Sequence, residues 1–76
     1  MIDTNLVGRR IAEARRKAGM TQSALAVRVG VTAQAVSKWE QGRSCPDIAI
    51  LDEIADALGI SLFELLGMEE RNKSSS

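Results

Sequence analysis

The chain has no histidine, one cysteine, one proline and two aromatic residues, Trp39 and Phe63. Each shortage removes a class of function. With no histidine, and with Cys45 alone, neither a zinc site nor a Cys/His nucleophile pair can be assembled, so no metal and no cofactor is expected. A single cysteine also excludes an internal disulfide, and Cys45 reads as a reduced loop thiol. Two aromatics cannot make the stacking platform on which single-stranded nucleic acids are held. No apolar run approaches the ~18 residues of a membrane span, and the N-terminus has no basic stretch followed by an apolar one. The chain is therefore expected to be soluble and cytoplasmic, with no membrane partner. Nor do 76 residues offer a second lobe to enclose a substrate, which argues against an enzyme and leaves no small-molecule effector site in view.

What is present is unevenly placed. The formal net charge is zero, yet residues 1–43 carry eight basic and three acidic side chains, and residues 44–76 carry two basic and seven acidic ones. The division suggests one basic working face, although charge alone suits a solvated mixed surface equally well.

Helix starts and stops recur at short spacing with no strand-like alternation between them, so the expected fold class is all-α, with five helices. The first spans about 5–18, where Val7, Ile11, Ala14 and Ala18 form one apolar stripe, and Gly19 ends it. Thr21 caps a second over about 22–29, with Met20 and Leu25 placed as a hydrophobic staple. The device repeats: Thr32 caps a third helix over about 33–41, and Val31 and Val36 form its staple. Only Gly30 and Val31 separate the second helix from the next cap. Glycine can take the left-handed conformation that such a sharp turn requires, and the result is helix-turn-helix geometry. After Pro46, Asp47 caps a fourth helix over about 48–58, whose buried face is Leu51, Ile54, Ala55 and Leu58. Ser61 and Glu64 make a capping box for a fifth, with Ile60 and Leu65 as its staple, before Gly67. Residues 1–68 are thus expected to form one domain and 69–76 a flexible C-terminal tail.

These segments resemble the Cro/CI-type helix-turn-helix domains of phage repressors and Xre-like bacterial regulators. The resemblance runs from about Val7 to Leu66 and rests on four stretches taken together: RIAEARRKAGMTQ at 10–22, LA-x-x-VGV at 25–31, VSKWEQG at 36–42, and L-x-x-IA-x-x-LGIS at 51–61. It implies a five-helix domain that binds operator DNA, usually as a dimer, with the third helix in the major groove. It also implies that Gln22 contacts a phosphate and that Arg15 pairs with Glu40. Ser23 and Ala24 stand where many members carry an acidic residue, so the second helix lacks a capping box.

Helical angles agree with the resemblance on which side of the third helix is free. At about 100° per residue from Val36, Trp39 falls at about −60° and Glu40 at about +40°, facing the body of the protein. Gln34, Ser37, Lys38 and Gln41 fall at about 160°, 100°, 200° and 140°, facing away. That outer face is entirely polar, suited to amide contacts with adenine, a basic contact with guanine, and hydroxyl bonds. Thr32 and Ala33 sit at the helix tip, which enters the groove in this geometry, and Ala33 can meet a thymine methyl. The expected base-reading set is therefore Thr32, Ala33, Gln34, Ser37 and Lys38. Gln22, at a helix N-terminus, and Gln41, Arg43 and Ser44, after the third helix, are expected to position the DNA backbone. Arg9, Arg10 and Arg16 read equally well as DNA contacts or as solvated surface. Trp39 is assigned to the core, and Glu40 beside it needs a cationic partner.

The expected function is a sequence-specific regulator of transcription, most simply a repressor, that binds double-stranded DNA as a homodimer on an inverted repeat. The dimer is expected at Leu62, Phe63, Leu65, Leu66 and Met68, which exceed what one short helix can bury against its own bundle. The alternative is an antitoxin-like adaptor that binds DNA but has another protein as its main partner.

Overall fold

The computed structural model describes residues 3–67. Five helices follow one another: α1 (Thr4–Lys17), α2 (Gln22–Val29), α3 (Ala33–Glu40), α4 (Ile48–Leu58) and α5 (Leu62–Leu66). Among the described residues there is no strand, and no helix is long and apolar enough to cross a membrane.

Each helix begins at a side chain that accepts a hydrogen bond from a backbone N–H otherwise left unpaired. Thr21 accepts from Ala24, Thr32 from Ala35, Asp47 from Ile50 and Ser61 from Glu64, at 2.9–3.1 Å. Asp3 accepts from both Asn5 and Leu6, which starts α1 one residue earlier than the apolar stripe indicates. At its other end Ala18 is the cap, so the helix also stops one residue early. Gln41 likewise caps α3 instead of extending it. Only half of the expected box on α5 exists. Ser61 caps Glu64, whereas the Glu64 carboxylate makes no return bond among the described residues and lines a cleft beside Arg10 and Lys17.

The turn between α2 and α3 depends on Gly30, whose φ of 74° is left-handed, a conformation that costs a residue bearing Cβ. Val31 then packs partly against the core and Val36 is fully buried, so the staple holds the second arm of the motif at its angle. The core is built from all five helices: Val7 and Ile11 of α1, Leu25 of α2, Val36 and Trp39 of α3, Leu51 and Ile54 of α4, and Leu65 of α5 are its main members.

Two packing features have no counterpart in the apolar pattern. Ala12 is buried, and so is Gly8, which lies against α3 where a Cβ would collide with the carbonyl oxygen of Trp39. A bare α carbon lets the backbone of α1 close on the end of α3. We predict that Gly8→Ala destabilises the domain by ~1–3 kcal/mol through overpacking, despite the ~1 kcal/mol that alanine gains in helix propensity. Thermal unfolding followed by circular dichroism checks it; an unchanged or higher midpoint would show that α1 can retreat without loss.

Candidate nucleic-acid interface

The third helix is held by one side and leaves the other to solvent. Val36 is 0% and Trp39 7% exposed, while Gln34, Lys38 and Gln41 are exposed and Ser37 is half-buried. Trp39 is therefore a core residue. Thr32 is exposed at the tip, its hydroxyl already accepting the Ala35 N–H, which leaves the O–H free to donate. Ala33 is half-buried and packs partly on the core, so only part of its methyl is presented outward. Ser37 and Gln41, one turn apart, are joined: the Gln41 amide donates to the Ser37 hydroxyl at 2.8 Å. Arg43 and Ser44 are both exposed in the loop that follows α3, as is Cys45, whereas Pro46 is buried.

Beneath this face lies the ion pair of Arg15 and Glu40. Arg15 Nε donates to Glu40 Oε2 at 2.7 Å and Arg15 Nη2 to Oε1 at 3.1 Å, with side chains only 11% and 7% exposed. A third bond runs from Arg15 Nη1 to the Met20 carbonyl at 2.8 Å. Glu40 Oε1 also accepts from Gln22 Nε2 at 2.9 Å, a bond that sequence reasoning did not anticipate. The signal available was the staple of α2, which brings its first turn down beside the end of α3. One of the two Nε2 hydrogens of Gln22 is thus committed inside the protein, leaving the other for any partner outside.

The remaining sequence candidates separate. Arg9 and Arg16 share a cleft with Gln22, Ser37 and Gln41, whereas Arg10 turns to the far side of α1, with its guanidinium against Gly67 and its Nε buried without a partner among the described residues. On α5, Leu65 is 0% exposed, which corrects its assignment to a dimer surface: as the inner half of the staple with Ile60 it belongs to the core of its own chain. Leu62 and Leu66 are half-buried against that core and Phe63 is 62% exposed. Met68 lies outside the described residues.

Burial alone would raise the Glu40 pKa, but hydrogen bonds from Arg15 and Gln22 and the charges of Arg15 and Arg16 outweigh it and hold the carboxyl below the usual glutamate range. Arg15 is raised in turn, chiefly by its hydrogen bond to Glu40, against an opposing effect of burial. Because the folded-state pKa of Glu40 is depressed, its contribution to stability is complete above the unfolded value near ~4.3 and is lost as pH falls through the folded value. We predict that Glu40→Ala lowers unfolding free energy by about 3 kcal/mol at neutral pH. This is the lower end for a broken buried pair, because Arg15 keeps its bond to Met20. Gln41→Ala should stay within ~0.5 kcal/mol. The gap between wild type and Glu40→Ala should shrink below about pH 4; urea titrations at pH 7 and pH 3 measure both, and equal midpoints for the two variants at pH 7 would exclude a stabilising role for the pair.

Comparison with known proteins places this geometry among relatives. A helix-turn-helix family model matches residues 11–65. The chain is 43% identical over 61 residues to the uncharacterised HTH-type transcriptional regulator y4dJ of Sinorhizobium fredii, a match covering 80% of this chain and 79% of that protein. Among solved structures it is similar to the P22 c2 repressor in complex with a synthetic operator, at 37% identity and a TM-score of 0.78, covering 86% of this chain and 98% of the repressor chain. A similar unit also occurs within hydroxypropylphosphonic acid epoxidase from S. wedmorenis, at 27% identity and a TM-score of 0.79, where 86% of this chain covers 35% of that one. The matched segment takes in the caps of α2 to α5, both staples of the α2–α3 turn and the Arg15–Glu40 pair, and the chain belongs to the Cro/CI-like helix-turn-helix family.

Proposed function

We propose that the protein is a sequence-specific regulator of transcription, acting as a repressor, that reads the major groove of double-stranded DNA with α3. The observation that carries this reading is the entirely polar outer side of α3, with Gln34, Lys38 and Gln41 exposed on a helix anchored from behind by Val36 and Trp39. Fold alone would not suffice, since a similar unit sits inside an epoxidase. Support comes from the P22 c2 repressor, whose structure includes a synthetic operator, and from the transcriptional regulators among the relatives.

In this reading Gln34 and Lys38 discriminate bases through amide and ammonium contacts, with Thr32, Ala33 and Ser37 nearby on the tip and flank. Gln22, Gln41, Arg43 and Ser44 grip the sugar-phosphate backbone and set register. The protein works as a homodimer through α5, where Phe63 is the exposed anchor and the half-buried Leu62 and Leu66 flank it. Two such chains read an inverted repeat.

Selection of bound sites from random duplexes tests the assignment. Gln34→Ala and Lys38→Ala should each flatten the preference at one half-site position, with a loss of ~1–3 kcal/mol in discrimination per bidentate contact. A consensus unchanged by both substitutions would place the recognition surface elsewhere. The half-site centres should lie about one helical turn, ~34–36 Å, apart. Phe63→Ser, with its helical circular dichroism retained, should reduce cooperative occupancy of the two half-sites. A wild-type chain of monomeric mass on DNA in analytical ultracentrifugation, protecting one unrepeated half-site, would reject the dimer.

A further inference from the structure

Between α1, the end of α4 and α5 lies an open cleft of about 190 Å³. Four charged side chains flank it, Arg10, Glu13 and Lys17 on one stripe of α1 and Glu64 on α5. Leu58, buried, and Ile60, half-buried, supply its apolar lining. On a helix, opposite charges three or four residues apart readily pair, and Glu13 stands three after Arg10 and four before Lys17. Yet the one ion pair among the described residues is Arg15–Glu40, so none of the four charges around the cleft is answered by another. The Arg10 guanidinium packs against Gly67, with a buried Nε that has no acceptor among the described residues. A buried donor without an acceptor is uncommon in folded proteins, and a bound polar group is one of the few explanations for it.

The balance of charge selects the ligand. Two cations and two carboxylates leave the cleft neutral, which suits neither a phosphate nor a polyamine, whereas a molecule that carries both charges can meet both. The cleft between α4 and α5, by contrast, is lined by Asp52, Glu53 and Asp56 and by no cation. The volume lies below the ~300–1,000 Å³ of pockets that hold drug-sized molecules, so the occupant is small. We infer that the cleft between α1, α4 and α5 binds a small zwitterion, an α-amino acid with an aliphatic side chain. Glu13 and Glu64 take its ammonium, Arg10 and Lys17 its carboxylate, and Leu58 and Ile60 cover its side chain. The site contains no residue of α3 and ties α1 to the helix that carries Phe63. It departs from the expectation of a chain without a small-molecule effector, because its walls come from three elements that only the fold brings together.

Methyl resonances of Leu58 and Ile60 in the full chain, titrated with L-leucine, test the site without any DNA present. They should shift saturably with half-saturation at ~1–10 mM, the weak range open to a ligand of about nine non-hydrogen atoms. N-acetyl-L-leucine, which lacks the ammonium, and L-leucinamide, which lacks the carboxylate, should each bind about tenfold more weakly. Each exposed charge supplies part of that discrimination. Glu64→Gln should therefore lower the preference for leucine over its N-acetyl derivative roughly threefold, and Lys17→Gln should do the same to the preference over leucinamide. Both side chains are exposed, and Ser61 caps the backbone N–H of residue 64, so neither variant disturbs the fold. Asp56→Asn, in the acidic cleft, should change neither preference. Equal shifts by leucine and both derivatives, saturation by sodium acetate over the same range, or no saturation by leucine would each overturn the site. So would cleft variants that keep the wild-type preferences, or an Asp56→Asn variant that loses as much as Glu64→Gln.

Discussion

Arg15 reaches from α1 to the end of α3, and one guanidinium ties together the Glu40 carboxylate and the Met20 carbonyl in the turn before α2. Gln22 completes the knot from the first residue of α2. Three helices are thereby referenced to a single carboxylate at the place where the recognition helix ends. Apolar packing is non-directional and would tolerate small rotations of an eight-residue helix. The planar fork of an arginine on a carboxylate accepts far fewer geometries. The net contribution of such a pair over an apolar substitute is small or negative, so its value lies in where it sets the end of α3 and how it aims Gln22.

That anchoring explains how α3 can be short and still present a face with no structural duty. Isolated helices of fewer than ~12–15 residues are marginal in water, and α2 and α3 have eight each. Their persistence comes from the caps, the two staples and the burial of Leu25, Val36 and Trp39. Gly8 contributes by letting the backbone of α1 approach the Trp39 carbonyl, which brings Arg15 within reach of Glu40. Apart from the Ser37–Gln41 hydrogen bond, the contacts that hold α3 among the described residues are made by its inner side or its ends. Its outer residues can therefore vary without threatening the fold, which suits a surface whose sequence must match a partner.

The helices were legible in the sequence because their boundaries are set by local chemistry. Threonine, aspartate and serine caps and glycine stops act within four residues, and the bounds of α2 and α4 fall where those signals put them. The one-residue shift of α1 has the same origin: Asp3 is its cap, whereas the apolar stripe by itself points to a start at Asn5. The inner and outer sides of α3 were legible from helical angle alone. Contacts between elements were not. The collision that Gly8 avoids depends on Trp39, far along the chain in another helix, although an unexplained glycine inside a helix is itself a signal of close packing. Leu65 looked like part of an exposed cluster because composition counts apolar residues without saying which ones a small core can absorb. The bond from Gln22 to Glu40 could not be read without the position of α3.

The charge division seen along the chain becomes a division in space through α1. Arg9 and Arg16 lie on the side of α3, and Arg10 and Lys17 line the cleft toward α4 and α5 with Glu64. Asp52, Glu53 and Asp56 line a third cleft between α4 and α5, away from the recognition helix. A formally neutral chain thus has a basic side and an acidic one. Neutrality limits the purely electrostatic, sequence-independent attraction to any duplex, which scales with the number of phosphates engaged. The separation of charge still favours the approach that places α3 against the backbone. The two effects together shift the balance of binding away from non-specific attachment and toward the contacts that only the right bases can make.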